Sequence, residues 1–262
     1  MDFNNKVILI TGASSGIGRE LALSFAACQA RLILAGRNIT ALEAVQQLCL
    51  AHTPHCQVLP MDMTNTPQVI TQAATARSFY NRIDILINNA GVTQRSKIID
   101  TPLAIDRLIM ETNFFGPVAL TKALLPQFQL QQSGHIVVIS SMAGLYGYPQ
   151  RSAYAASKHA LQGFFETLQT EQPIPHLYTT LICPGRIHTP LSLAAITATG
   201  APHGQMDKGQ LNGIPVATCA RKIIRAIRRR KKSVLIAGEE KWLLWIKRIL
   251  PPLFYRIARK GN

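Results

Sequence analysis

Short runs of aliphatic and β-branched residues recur along the chain at 7–10, 32–35, 58–60, 83–87, 135–140, 177–183 and 233–237, with longer helix-like stretches between them. Runs that are apolar throughout, rather than alternating, are what strands covered on both faces require. Their alternation with helices predicts a parallel sheet in a doubly wound α/β domain. No internal repeat, low-complexity segment or linker divides the chain. One stretch departs from this rhythm: 190–215 collects Gly200, Pro202, Gly204, Gly209, Gly213 and Pro215. It reads as a long, adjustable loop after the sixth strand, of the kind that serves as a lid or binding loop.

A chain of 262 residues, 47% hydrophobic and 16% charged, can bury a sizeable core, which excludes disorder of the whole chain. Its five cysteines are an odd number without C-x-x-C spacing, as expected of reduced thiols in the cytoplasm. The start of the chain lacks the basic segment, long apolar run and cleavage site of a secretory signal, so no targeting peptide is expected. The histidines form neither an H-E-x-x-H motif nor a Cys/His cluster, and no metal is expected. The net charge of +15 is unevenly spread: residues 1–220 carry 14 Lys/Arg against 11 Asp/Glu, and residues 221–262 carry 14 against 2. This reading assigns the basic character to the tail. Without a helix-turn-helix or finger pattern it does not point to nucleic acid.

The first predicted strand runs into Thr11-Gly12-Ala13-Ser14-Ser15-Gly16-Ile17-Gly18, and a helix follows. Glycines at such a turn let backbone approach a pyrophosphate, and the helix N-terminus offers free N–H groups and a positive dipole end. The second strand ends Ala35-Gly36-Arg37, where an NAD site would place an acid for the ribose 2′-hydroxyl. Arg37 suits the 2′-phosphate of NADP instead; a solvated loop arginine is the plainer alternative.

Further on come Asp62, Asn88-Asn89-Ala90-Gly91, Asn113, Ser140-Ser141, Tyr154-Ala155-Ala156-Ser157-Lys158 and Pro184-Gly185-Arg186-Ile187-His188-Thr189. In this order the sequence resembles the short-chain dehydrogenase/reductase family over residues 5–238, and 88–96 and 154–166 look most like its 11β-hydroxysteroid dehydrogenase-like branch. The resemblance implies a Rossmann-type fold and an NADP(H)-dependent oxidoreductase. Such an enzyme moves hydride between the nicotinamide and a carbonyl or secondary alcohol. Tyr154 would transfer the proton, Lys158 hold the nicotinamide ribose, Ser141 steady the substrate oxygen and Asn113 support a proton path behind the lysine. Gly12, Ser14, Ser15, Gly16, Ile17, Gly18 and Arg37 would bind the cofactor phosphates. Asp62, Asn88 and Gly91 would line the adenosine side, and Pro184, Gly185, Ile187 and Thr189 the nicotinamide. It also implies a homodimer or homotetramer.

The residue chemistry supports these roles. Tyr154 and Lys158 stand four apart on one helix face. Lowering a phenol by about three pKa units takes roughly 4 kcal/mol, which a nearby ammonium helps to supply. Leu145, Tyr146, Tyr148 and the 190–215 loop are expected to line the substrate site and to favour an apolar molecule. A nucleotide-sensing or membrane-surface scaffold without turnover is the alternative function; its usual sign is a lost Tyr or Lys, and both are present.

Residues 1–238 thus read as the catalytic domain and 239–262 as a basic amphipathic extension. In the latter, Trp242, Trp245, Ile249, Leu253, Phe254 and Ile257 stand among Lys and Arg. Lys247 and Arg248 interrupt the apolar run and Pro251-Pro252 break the helix, so it does not span a bilayer. Two placements follow: on an anionic membrane surface, making the protein cytoplasmic and peripheral to a membrane, or packed on the body of the enzyme.

Overall fold

The computed structural model describes residues 2–260. The strands are β1 (Val7–Thr11), β2 (Arg31–Gly36), β3 (Cys56–Pro60), β4 (Ile85–Asn88), β5 (Gly134–Ile139), β6 (Leu177–Pro184), β7 (Ile187–His188), β8 (Ile214–Pro215) and β9 (Ser233–Ile236). Seven of them build one sheet, ordered β3-β2-β1-β4-β5-β6-β9, with every neighbouring pair parallel. The chain order reverses between β1 and β4, so the loops leaving these strands part and open a crevice at their C-terminal ends.

Side-chain alternation divides the sheet between two cores. Ile8, Ile10, Leu32, Leu34, Ile85 and Ile87 face one side, where α1 (Gly16–Ala26), α2 (Ile39–Leu50) and α8 (Val216–Arg228) cover them with Leu21, Phe25, Leu42, Ile223 and Ile227. Val7, Leu9, Ile33, Leu86, Ile136 and Val138 face the other. There α3 (Thr66–Tyr80), α5 (Gly116–Gln131) and α6 (Ser152–Glu171) supply Val69, Leu124, Phe128, Leu161 and Phe165. Because both faces are covered, the strands carry no polar alternation, as their sequence implied. Between α3 and α5, α4 (Leu103–Met110) continues through a π-helical turn at Glu111–Phe115 into α5.

The 190–215 loop is less open than its composition suggests. It ends in α7 (Lys208–Leu211) and β8, which pairs with β7, and it is stitched to the body by a bridge between Gln94 and Ile196. The charge assignment also needs correcting. Arg221, Lys222, Arg225 and Arg228 lie on α8, whose opposite face buries Cys219, Ala220, Ile223 and Ile227, so much of the basic surface belongs to the main fold. The last described residues form α9 (Trp242–Ile249) and α10 (Pro251–Lys260), broken at Leu250 as the proline pair requires.

Candidate active site

The turn after β1 is shaped by glycine. Gly12 has φ +64° and a Cβ there would stand 2.8 Å from Ala90 Cα; Gly16 has φ +53°. A Cβ on Gly18 would fall on the Gly12 carbonyl, so Gly18 permits helix-to-turn packing and does not itself line the crevice. Thr11 Oγ1 accepts from the amides of Asn89 and Ala90, both at 3.0 Å, and Asn89 Nδ2 donates to Thr11 O at 2.9 Å and Gly12 O at 3.2 Å. These bonds fix the end of β4 against the turn. No side chain caps the N-terminus of α1, so its amides face the crevice. The resulting cleft, about 530 Å³, is lined by Gly12, Ser14, Ser15, Gly16, Ile17, Arg37, Asp62, Gly91, Pro184, Gly185, Ile187 and Thr189, all expected from the sequence.

A nicotinamide dinucleotide fits this cleft: close backbone approach at Gly12 and Gly16 and the uncapped helix suit the pyrophosphate, and exposed Arg37 stands at the end of β2. Asn88 does not line it. The side chain is buried and donates to Thr121 Oγ1 at 3.0 Å, because strand alternation turns it away and leaves the lining to Asn89 and Gly91.

Beside this cleft opens a second cavity of about 620 Å³, and Ser141 and Tyr154 line both. Ser141 is presented by the end of β5, its Oγ accepting from Ala143 N at 3.1 Å. Ser140 points elsewhere, donating to Lys158 O at 3.2 Å. On α6, Lys158 Nζ donates to Ile139 O at 2.8 Å and sits 5.8 Å from the Tyr154 ring centre. Burial pulls this ammonium down to about 8 and pushes the Tyr154 phenol above its ordinary value. A hydrogen bond from Ser141 and the charges of Arg95 and Arg151 oppose the rise in Tyr154. The charges of these two arginines thus favour the phenolate, while Lys158, whose Nζ donates to the Ile139 carbonyl, stands one helical turn away on the same face of α6. Asn113, in the π-helical turn, lies behind the cleft. Its side chain accepts from Val92 N at 2.8 Å and donates to Val92 O at 2.9 Å and Ser157 Oγ at 3.0 Å, which braces the segment after β4 against α6.

Sequence reasoning missed a polar group in the second cavity. Arg95 grips both oxygens of Asp207, and Arg151 Nη2 donates to Asp207 Oδ2 at 3.0 Å. Buried Gln94 accepts from the amides of Ala153 and Tyr154 at 2.9 and 3.2 Å, capping the first turn of α6. The apolar lining expected is only partly found. Met142, Tyr146, Tyr148 and Leu191 are there, but so are Arg95, Arg151, Arg186, Lys208, Asp207 and Glu240, while Leu145 packs beneath with the tail. No three His, Cys, Asp or Glu cluster as metal ligands among the described residues.

A parallel sheet with a glycine-shaped crevice, joined through Ser141 and Tyr154 to a second cavity, defines a dinucleotide-dependent oxidoreductase scaffold. Residues 6–198 match the family model for short chain dehydrogenases, and the chain belongs to that family. It is 43% identical over 260 residues to dehydrogenase/reductase SDR family member 7B of Bos taurus, covering 97% of this chain and 80% of that protein. It is 37% identical to the Drosophila melanogaster SDR family protein 7-like, with 97% and 80% covered. Among solved structures, a Burkholderia phymatum short chain dehydrogenase/reductase in complex with NAD superposes with TM-score 0.86 at 25% identity, covering 97% of this chain and 96% of that one. A Streptomyces avermitilis short-chain dehydrogenase gives TM-score 0.83 at 29% identity over both full chains.

Proposed function

We propose that the protein is an NADPH-dependent carbonyl reductase, running reversibly with the corresponding secondary alcohol. The observation that carries this reading is the position of Tyr154 and Ser141 on the shared wall of the two cavities, where a nicotinamide ring and a carbonyl would meet. Bound NADPH supplies hydride. Ser141 donates a hydrogen bond to the substrate oxygen, Tyr154 delivers the proton to it, and the Lys158 ammonium holds the nicotinamide ribose and favours the phenolate left on Tyr154, which solvent reprotonates. Preference for NADPH rests on Arg37 and the missing acid at the end of β2.

The second cavity supports a substrate with an apolar body, against Met142, Tyr146, Tyr148 and Leu191, and a polar acceptor group toward Arg95 and Arg151. Five free cysteines suit a reducing cytoplasmic setting. We also propose pairing with a second copy through the face where Leu103, Leu108 and Phe115 are exposed and where Gly163 of α6 has open space above it. Equilibrium sedimentation of wild type and Phe115→Glu tests that pairing.

The reaction is tested by following NADPH oxidation with a panel of steroid, retinoid, 3-oxoacyl and small aldehyde carbonyls, using wild type and Tyr154→Phe. Turnover of at least one carbonyl, lost by about two to four decades in Tyr154→Phe while NADPH binding persists, supports it. Retention of more than about a tenth of the rate by the Phe variant overturns the tyrosine as proton donor.

A further inference from the structure

The two placements expected for the tail are combined in one arrangement. Its inner side belongs to the enzyme: Phe254 is buried with its ring centre 5.4 Å from that of Tyr146, and Lys247 Nζ donates to Leu145 O at 3.0 Å. Glu240, just before α9, lines the second cavity and accepts from Arg186 N at 2.8 Å. The tail therefore begins at that cavity's rim and packs against the residues that form its wall.

The outer side is uncovered. On α9, Trp242, Trp245 and Ile249 recur at helical spacing and are 59, 57 and 69% exposed; Leu250 at the bend and Leu253 and Ile257 on α10 are exposed as well. Exposed Lys241, Arg248, Arg256 and Arg259 stand among these residues. Aromatic and aliphatic side chains mixed with cations, on two short helices meeting at a bend, match a bilayer interface, where rings sit at headgroup depth and Lys and Arg meet anionic lipid. At 1.5 Å per residue neither helix approaches the thickness of a hydrocarbon core, and no helix among the described residues is long and apolar enough to cross one. A second copy pairing through this face would set the same cations against each other, which disfavours that occupant.

We infer that α9 and α10 dock the protein on an anionic lipid bilayer through the strip Trp242, Trp245 and Ile249, with the rim of the second cavity beside the membrane. The docking does not depend on the reaction assigned above.

The test uses the full chain, because Phe254 makes the tail part of the fold. Vesicles of phosphatidylcholine alone, and of phosphatidylcholine with about one third phosphatidylglycerol, are sedimented with protein at about 0.05 and about 0.5 M NaCl. Wild type is expected to bind the anionic vesicles at low salt and to be largely released at high salt. The exposed-face variant Trp242→Ser/Trp245→Ser is expected to bind at least about tenfold more weakly, with an unchanged thermal midpoint. Wild type remaining in the supernatant with anionic vesicles overturns the inference, as does a variant that binds like wild type. A drop in sedimentation coefficient of the variant without any loss of vesicle binding also overturns it, because the strip would then be a contact between copies.

Discussion

Arg95 and Asp207 lie 112 residues apart in the chain and are joined by a two-pronged ion pair, one from the segment after β4 and the other from the loop after β7. The Arg95 side chain is only 7% exposed, and Arg151 shares the same carboxylate. Asp207 thereby anchors the 190–215 loop beside Tyr154 and separates two guanidiniums that would otherwise repel.

Asp207→Ala is expected to lower stability by about 1–3 kcal/mol, less than for a fully buried pair because the carboxylate is partly solvated. It should also raise KM for the carbonyl more than it changes KM for NADPH, since Asp207 and its neighbours Lys208 and Gly209 line the second cavity and not the first. Burial alone would raise the Asp207 carboxyl, but the bonds and charges of Arg95 and Arg151 outweigh it and hold it below its ordinary value. Its stabilisation is thus present above the unfolded aspartate pKa and is lost as pH falls through the lower folded value. Denaturant titrations of wild type and variant, at neutral pH and in acid, should converge at low pH.

Lys158 is expected to set the alkaline side of the rate profile. With its ammonium held down to about 8 by burial, the charged form predominates below that pH and the neutral form above it. If the charge holds the nicotinamide ribose, kcat/KM for NADPH falls as pH rises through about 8. Lys158→Met should remove that limb and weaken NADPH binding. Stopped-flow binding and steady-state profiles over the same pH range check both.

Arg37 is expected to set a preference for NADPH over NADH on the order of ten- to a hundredfold, the equivalent of about 1.5–3 kcal/mol for a charge-assisted contact. Measurement of kcat/KM with both cofactors decides it. Equal values, or a ratio unchanged in Arg37→Ala, would leave the arginine as a solvated loop residue.

His135 predicts acid lability remote from the site. It lies on β5, Nε2 within 2.8 Å of Thr180 Oγ1, and burial together with the charge of Arg230 lowers it to about 4. The fold favours the neutral ring, so stability is full above the unfolded histidine value near 6.5 and declines as pH falls toward 4, by on the order of 3 kcal/mol. Urea midpoints of wild type and His135→Gln between these pH values should show a weaker decline in the variant.

The sheet was legible because both faces of every central strand are covered, so each apolar run marks a strand whatever its register. The nucleotide cleft was legible because its requirements are local: Gly12, Gly16 and Tyr154 act within a few residues of their motif neighbours. Arg95, Arg151 and Asp207 were not, since each looks like a solvated charge until the fold brings them together. Gln94 likewise gave no signal, because its role as a cap for α6 depends on a residue 59 positions away in the chain. Asn88 and Asn89 are adjacent in sequence, and only the pleat of β4 decides which one faces the cleft.

The bonds that join Thr11 and Asn89 across β1 and β4 hold the glycine turn in its receptive shape without help from a ligand, whereas the wall opposite hangs on the loop fastened by Asp207. Leu191 and Gln210 of that loop line both cavities, so a single ion pair fastens a wall that the two share. Loosening that one ion pair is therefore expected to be felt on both sides of Tyr154, more strongly in the second cavity, which Asp207 itself lines.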